Sequence, residues 1–173
     1  MRELFGGAVV ADFPESYVDI SHLHEVSNSQ EVLNQGETDS SIIFDILEYA
    51  DHIPNEQAAR YYFEDNADLN ACKSFEIDSF GVLPNGIQIC FGKQTGVVKG
   101  KERDPEGNTI GLFLSVLRLP QARADLVVTL AFPLHLSPHN LTRGLAPKPT
   151  PQAEEEFTQL CHTLQVVDYG LFS

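Results

Sequence analysis

The stretch TDSSIIFDILEYADHIPNEQAARYYF, residues 38–63, decides the fold, because its first half is compatible with two kinds of secondary structure. Its apolar residues fit the stripe of an amphipathic helix, which Thr38 or Asp39 could cap. They also fit a strand buried on both faces, because Ile-Ile-Phe-Asp-Ile-Leu is rich in β-branched and aromatic side chains. Pro54, followed by Asn55 and good helix formers, marks a clearer helix start. We therefore favour a strand followed by a helix.

The sequence on either side of this stretch alternates between strand patterns and turn signals. Residues 73–83 alternate polar and apolar, and Pro84-Asn85-Gly86 is a strong turn signal before a second strand at 87–91, which predicts a hairpin. Further strands are expected at 4–13, 30–34, 110–117 and 126–132, with a short helical turn near Asp19 or Ser21. We expect the Gly6-Gly7 pair to interrupt the first strand as a bulge or a close backbone approach.

A second helix is predicted from Thr150 or Pro151 to Leu164. Three glutamates in its first turns complement the helix dipole, and the spacing of the apolar residues predicts one buried face. That face would be lined by Phe157, Leu160, Cys161 and Leu164. Four or more antiparallel strands with a helix in the middle and one near the end indicate an α+β architecture in one domain, residues 1–173.

The composition narrows the classes of partner. The chain has 173 residues, 42% of them hydrophobic, which is ordinary globular usage, and a formal net charge of −14. Phosphate backbones and anionic membrane surfaces would repel it, so we expect no nucleic acid or membrane partner. With neither a secretory signal nor a spanning segment in the sequence, we expect it in the nucleus and cytoplasm, with Cys72, Cys90 and Cys161 as free thiols. A monomer is the default expectation.

The residues that could carry chemistry do not form a familiar motif. His22 and His24, with Asp19 and Glu25 nearby, supply some of the ligands that zinc or iron takes, but a structural site needs about four convergent ligands. No nucleophile elbow is present, and adjacent Cys161 and His162 on a helix would point about 100° apart. Neither common glycine-rich phosphate loop occurs in the sequence. We therefore expect no enzymatic activity, no cofactor and no metal.

Two carboxylates in the deciding stretch stand out from the rest. Asp45 and Glu48 lie in an otherwise apolar segment, where a carboxylate is unfavourable unless it points outward or has a partner. A helix would place both on one face, whereas a regular strand would place them on opposite faces. They could be a solvated edge, a pair to Arg60, or an interaction site.

Ordered landmarks along nearly the whole chain resemble one known family. They begin with Leu-Phe-Gly-Gly-Ala at residues 4–8, Asp-Ile-Ser at 19–21 and Gln-Glu-Val at 30–32, and continue with Thr-Asp-Ser-Ser-Ile-Ile-Phe-Asp-Ile-Leu-Glu at 38–48. The later ones are Ala-Ala-Arg-Tyr at 58–61, Phe-Glu-Asp at 63–65, Leu-Arg-Leu-Pro-Gln at 117–121, Asp-Leu at 125–126 and Val-Asp-Tyr-Gly-Leu-Phe at 167–172. Together they resemble the Ran guanine nucleotide release factor family, also called the Mog family.

The resemblance implies a fold, a partner and a set of binding residues. The implied fold is an α/β sandwich of the PsbP type, in which a curved antiparallel sheet of about six strands carries helices on both faces and residues 42–49 form a strand. The implied activity is binding of the GTPase Ran, promotion of guanine nucleotide release and support of nuclear protein import. The implied Ran-binding residues are Asp45 and Glu48, with Asp39, His24 and Glu31 in the matching segments. His24 stands where the family resemblance implies an arginine.

Two other classes of function remain open at this stage. A small-ligand binding module on the same fold would require a deep apolar pocket with converging polar groups. An enzyme assembled only in three dimensions would require perturbed titratable groups within hydrogen-bond reach of one another in a cleft.

Overall fold

The computed structural model describes residues 1–23, 27–96, 109–134 and 145–172. Two helices and ten strands occur in these ranges. The helices are α1 (Ala58–Leu69) and α2 (Thr150–Thr163). The strands are β1 (Arg2–Leu4), β2 (Val9–Ala11), β3 (Val18–Asp19), β4 (Gln30–Gln35), β5 (Ser40–Glu48), β6 (Ser74–Val82), β7 (Gln88–Thr95), β8 (Thr109–Leu119), β9 (Ala124–Pro133) and β10 (Gln165–Val166).

The first half of the deciding stretch forms strand β5, in the interior of a seven-stranded antiparallel sheet of order β3-β4-β5-β9-β8-β7-β6. It pairs with β9 without a break from Ser41 opposite Ala131 to Glu48 opposite Ala124, and with β4 up to Asp45 opposite Gln30. Strand partners on both sides satisfy the backbone groups that a helix would satisfy internally. The strand interpretation is therefore confirmed.

The two helices lie on opposite faces of this sheet, as expected for an α+β sandwich. One core packs under α2 and the small sheet β1-β2-β10, and includes Phe44, Phe113 and Phe157. The other packs under α1 and includes Phe63 and Leu114. The residues expected on the buried face of α2 are all buried, namely Phe157, Leu160, Cys161 and Leu164. The fold prediction is confirmed, with seven strands in the main sheet where about six were expected.

The prediction of one interrupted strand over residues 4–13 is wrong. Strands β1 and β2 pair antiparallel with each other, with Leu4 opposite Val9, so the chain reverses direction between them. The reversal is a 3₁₀ turn at Phe5–Gly7, in which Phe5, Gly6 and Gly7 all have positive φ angles of 52°, 67° and 94°. Two glycines make this left-handed geometry accessible, and they therefore produce a tight hairpin and not a bulge.

The remaining elements follow the sequence pattern closely. The β6–β7 hairpin turns at Pro84-Asn85-Gly86, where Gly86 has φ 86° and its N–H donates to the Leu83 carbonyl at 2.9 Å. The expected helical turn is the 3₁₀ segment Ser21–Leu23. Among the described residues no helix is long and apolar enough to cross a membrane. The thiols of Cys90 and Cys161 are buried, and that of Cys72 is half-buried.

Candidate functional site

Asp45 lies on the face of the sheet that carries α1, but away from that helix. Helix α1 packs on β6, β7 and β8, and no described helix covers the β4–β5 part of this face. The Gln30 side-chain amide donates to Oδ1 of Asp45 at 2.8 Å from the neighbouring strand. Burial raises the pKa of this carboxyl, and the hydrogen bond from Gln30 partly offsets the effect. Asp45 is thus a half-buried carboxylate on an area of sheet that no described helix covers.

Glu48 is the exposed last residue of the same strand. Because the register of β5 is regular from Asp45 to Glu48, the odd offset places the two side chains on opposite faces. Their Cα atoms are about 10 Å apart at the usual rise per residue. Pairing with β4 ends at Asp45, and no other described strand pairs with that side of Leu47 and Glu48. The end of β5 is therefore a corner of the sheet from which both faces can be reached.

Glu31 lies on the opposite face of the sheet from Asp45, because it pairs with the core residue Phe44. Its Oε1 accepts a hydrogen bond from the backbone N–H of Phe5 at 2.6 Å. Burial raises the pKa of Glu31, the Phe5 N–H opposes that shift, and the nearby charge of Asp19 adds to it. Within the described part of the chain, Glu31 fastens the β1–β2 turn to β4.

The structure does not bring Asp39 close to Glu48. Asp39 has a φ of 53° in the β4–β5 turn, immediately before the first residue of β5. Glu48 ends that strand nine positions later, which corresponds to about 30 Å of extended chain. His24 lies outside the described residues. Of the four sequence-predicted residues that the structure describes, Asp45 and Glu48 lie on the second half of β5 and Glu31 lies beside them on β4, whereas Asp39 precedes β5.

A buried polar network stands directly behind the end of β5, and we call it the Arg118 clamp. It consists of Arg118, Asp125, the Tyr62 hydroxyl and the backbone of Ala50 and Ile53. The guanidinium donates Nε–H to Asp125 Oδ1 at 3.0 Å and reaches the carbonyls of Ile53 at 2.7 Å and Ala50 at 2.6 Å. Tyr62 donates to Asp125 Oδ2 at 2.5 Å, and the Ala50 N–H donates to the same oxygen at 3.1 Å.

The Arg118 clamp fixes the residues that follow Glu48. Its guanidinium also lies 4.2 Å from the centre of the Tyr49 ring, next to Glu48. The sequence interpretation did not identify this pair, although a signal was present. Arg118 and Asp125 stand directly opposite each other across the tight β8–β9 connection, and opposite charges favour such positions.

The possible pairing of Arg60 with Asp45 or Glu48 is wrong. Arg60 lies on the first turn of α1, where its guanidinium is 3.9 Å from Glu64 and 5.0 Å from the centre of the Phe80 ring. The Phe80 ring belongs to β6, so Arg60 lies at the opposite end of the sheet order from β4 and β5. The carboxylate of Asp45 has Gln30 as its partner instead.

The comparisons with known proteins point in one direction. Residues 2–133 match the family described as Ran-interacting Mog1 protein. A Danio rerio protein named Ran guanine nucleotide release factor is 31% identical over 180 residues, covering 99% of this chain and 98% of the relative. A Schizosaccharomyces pombe protein named nuclear import protein mog1 is 28% identical over 149 residues, covering 78% of this chain and 77% of the relative.

A solved structure supports the same assignment at the level of fold. The crystal structure of the Saccharomyces cerevisiae Ran-binding protein Mog1p superposes on this chain with a TM-score of 0.79 and a sequence identity of 24%. The superposition covers 99% of this chain and 97% of the Mog1p chain. At that identity the likeness shows the fold alone. The family match over residues 2–133 and the whole-length relative together identify this chain as a member of the Ran-interacting Mog1 family.

Proposed function

We propose that this chain binds Ran, promotes release of its guanine nucleotide and supports nuclear protein import. The observation that carries the proposal is the similarity along 99% of the chain to a relative named Ran guanine nucleotide release factor. We place its action in the nucleus and cytoplasm, as a monomer without a cofactor. A net charge of −14 favours a partner with a basic surface over nucleic acid or an anionic membrane.

The release requires no covalent chemistry on this chain. If the protein binds nucleotide-free Ran more tightly than nucleotide-bound Ran, thermodynamic linkage requires that it weaken nucleotide binding by the same factor. What the chain must supply is therefore a surface whose contacts improve when nucleotide leaves. Carboxylates suit this task because they can compete with phosphate for lysines or for Mg²⁺.

We propose the end of β5 as that surface, with Asp45 on the area of sheet that no described helix covers and Glu48 at the corner. Glu48 is exposed and free to meet a basic group. Asp45 accepts from Gln30 through one oxygen, on a face that no described helix covers at this point. A partner that wraps the strand end can contact both carboxylates although they point to opposite faces. The Arg118 clamp keeps the backbone beyond Glu48 in place for such a contact.

The experiment measures release of a fluorescent GDP or GTP analogue from purified Ran, with and without this protein, at two salt concentrations. We expect accelerated release, and we expect Glu48→Lys combined with Asp45→Asn to abolish the acceleration. Asparagine is chosen at position 45 because it keeps an oxygen for the Gln30 amide while removing the charge. Release that is weaker at higher salt would fit an electrostatic contact.

The matched control is Glu154→Lys combined with Asp12→Asn. It makes the same charge changes on residues away from the end of β5, on α2 and just after β2. This control should release nucleotide at the wild-type rate. If the Asp45 and Glu48 variant also does so, these residues take no part in release. If the wild-type protein neither binds Ran nor accelerates release, the small-ligand alternative takes precedence.

A further inference from the structure

The outer edge of strand β6 is a second surface of the molecule, on the far side of the sheet from β4 and β5. Strand β6 terminates the seven-stranded sheet, and no described strand pairs with its outer edge. It is nine residues long, contains no proline, and every residue in it except Ile77 is exposed. It is separated from β5 by β9, β8 and β7, so the two surfaces are about 19 Å apart at ordinary strand spacing.

Apolar side chains are concentrated along this edge. Of the nine large apolar side chains exposed in the described residues, three belong to β6, and their exposed fractions are 41% for Phe75, 49% for Phe80 and 71% for Val82. The β-bulge between Ile77 and Ser79 shifts the alternation by one residue. All three therefore project on the α1 side, since Phe75 packs on Phe63 and Phe80 lies under the Arg60 guanidinium. The edge thus has one apolar face.

The backbone of the second half of β6 points outward at alternate residues. The Leu83 N–H donates to the Ile87 carbonyl at 2.9 Å, so Leu83 is bonded towards β7. In an antiparallel pair the bonded positions alternate, which directs the N–H and C=O groups of Val82 and Phe80 away from β7. These are the same two residues whose side chains form the exposed apolar face. Backbone and side chains together provide the two elements used when an extended segment adds a strand to a sheet.

The charged side chains on β6 determine which kind of added strand the edge can bind. Glu76 and Asp78 project on the side away from α1. There, Nζ of Lys93 lies 3.9 Å from Oε1 of Glu76 and 3.6 Å from Oδ2 of Asp78. A second copy of this chain would bring like charges together and would add another net charge of −14. The edge therefore fits a segment that has basic side chains on one face and apolar side chains on the other. The basic side chains would meet Glu76 and Asp78, and the apolar side chains would meet Phe80 and Val82.

We propose that the outer edge of β6 binds an extended protein segment of alternating basic and apolar residues, which pairs as an additional strand of the sheet. This inference does not depend on Ran, because β6 carries none of the residues assigned to nucleotide release. The bulge at Asp78 interrupts the edge, so we expect the backbone hydrogen bonds to centre on the straight half from Ser79 to Val82, while the basic side chains of the segment extend past the bulge to Glu76 and Asp78.

The probe is the synthetic peptide KVKFKVK with blocked ends, compared with KKKKVVF, which has the same composition without alternation. Binding is followed by backbone NMR of the full chain. We expect KVKFKVK to shift the amide signals of Phe80 and Val82 and to slow their hydrogen exchange, because both N–H groups become bonded. KKKKVVF should bind at least tenfold more weakly.

The variant Val82→Pro tests the backbone contact, because it removes an N–H that points to solvent and leaves the β7 ladder intact. It should weaken KVKFKVK at least tenfold and leave nucleotide release from Ran unchanged. Val18→Ser is the control, since Val18 is another exposed valine, on β3 at the other edge of the sheet. The proposal is overturned if the peptide leaves β6 amides unshifted, if both peptides bind equally, or if Val82→Pro binds as the wild type does.

Discussion

The guanidinium of Arg118 and the carboxylate of Asp125 form an ion pair that is almost completely removed from solvent, with exposed side-chain fractions of 7% and 0%. Arg118 and Asp125 belong to the two strands of the β8–β9 hairpin. Most of their other hydrogen-bond partners, however, belong to the segment after β5 or to α1. Removing one charge from such a pair leaves the other buried without compensation, which usually costs about 3–5 kcal/mol. The pair therefore joins the hairpin to the end of the candidate site.

We expect Arg118→Lys to destabilise the fold by several kcal/mol, because an ammonium group cannot reach Asp125 and the carbonyls of Ala50 and Ile53 at once. Tyr62→Phe should cost less, about 1 kcal/mol, since Asp125 keeps its other partners. Urea unfolding measures both. Arg60→Lys is the control, because that exposed arginine makes a 3.9 Å pair with Glu64 and lies 5.0 Å from the Phe80 ring centre, and the change should alter stability by less than about 0.5 kcal/mol. Equal losses of stability in Arg118→Lys and Arg60→Lys would contradict the stabilising role of the buried Arg118–Asp125 pair.

Asp45 provides a prediction that depends on pH. Burial raises its pKa above the ordinary value of 3.8, so the folded protein holds this proton more tightly than the unfolded chain does. Ionised Asp45 therefore weakens the folded state at pH values above its raised pKa, and this effect disappears as the pH falls through that pKa and below 3.8.

We accordingly expect Asp45→Asn to be more stable than the wild type at pH 7 and nearly equal to it at about pH 3.5. Urea unfolding of both proteins at several pH values gives the difference directly. Glu48→Gln serves as the comparison, because Glu48 is exposed. A stability difference for Asp45→Asn that is the same at pH 7 and at pH 3.5 would refute the prediction. A gain in stability on removing Asp45 is the pattern expected of a residue kept for binding.

Two glycines in neighbouring strands make a matched pair for testing the packing under α1. A Cβ on Gly92 would lie 2.6 Å from Cζ of Phe63 and would also collide with the backbone oxygen of Glu76. A Cβ on Gly81 would meet no heavy atom within 4 Å. We expect Gly92→Ala to destabilise by about 1–3 kcal/mol through overpacking, and Gly81→Ala to be neutral or slightly stabilising. Thermal unfolding distinguishes them, and similar melting temperatures would mean that the backbone at Gly92 can move aside.

A second buried cation fastens the segment before α2. Lys148 is 3% exposed and its Nζ donates to Glu156 Oε2 at 2.5 Å and to the Tyr17 hydroxyl at 2.7 Å. Burial and the adjacent Glu156 carboxylate raise the pKa of Tyr17, so its hydroxyl remains protonated and donates to that carboxylate.

Lys148→Met should destabilise by about 3–5 kcal/mol, because Glu156 is left with a charge that is largely shielded from water. The double variant Lys148→Met, Glu156→Leu should recover a substantial part of that loss. Denaturant unfolding of the two singles and the double gives the coupling energy. Additive effects would show that the two residues stabilise the fold independently.

Sequence patterns predicted the elements well where the signal was local. The proline-asparagine-glycine turn and the amphipathic face of α2 depend on neighbouring residues, and both are confirmed. The Gly6-Gly7 pair was misinterpreted because a bulge and a reversal require the same residue type, and only the pairing of Leu4 with Val9 distinguishes them.

The candidate site was only partly predictable for a related reason. Asp45 and Glu48 were identified from their apolar surroundings, but no pattern could show that α1 would pack on β6, β7 and β8 and not over Asp45. The contact between Lys148 and Tyr17 joins residues 131 positions apart and left no trace in the sequence. Arg118 and Asp125 were detectable in principle, since they are equidistant from the β8–β9 turn.

The pairing of β5 with β9 also has a consequence during synthesis. Asp45 faces Val127, 82 positions later in the chain, so β5 leaves the ribosome long before its central partner exists. At about 5–20 residues per second this interval lasts roughly 4–16 s. Throughout it, Ile42 and Phe44, which are 1% and 0% exposed in the finished fold, lack the strand that pairs with them on that side. The strand that carries the candidate site therefore exists during synthesis for several seconds without one of the two strands that flank it in the finished sheet.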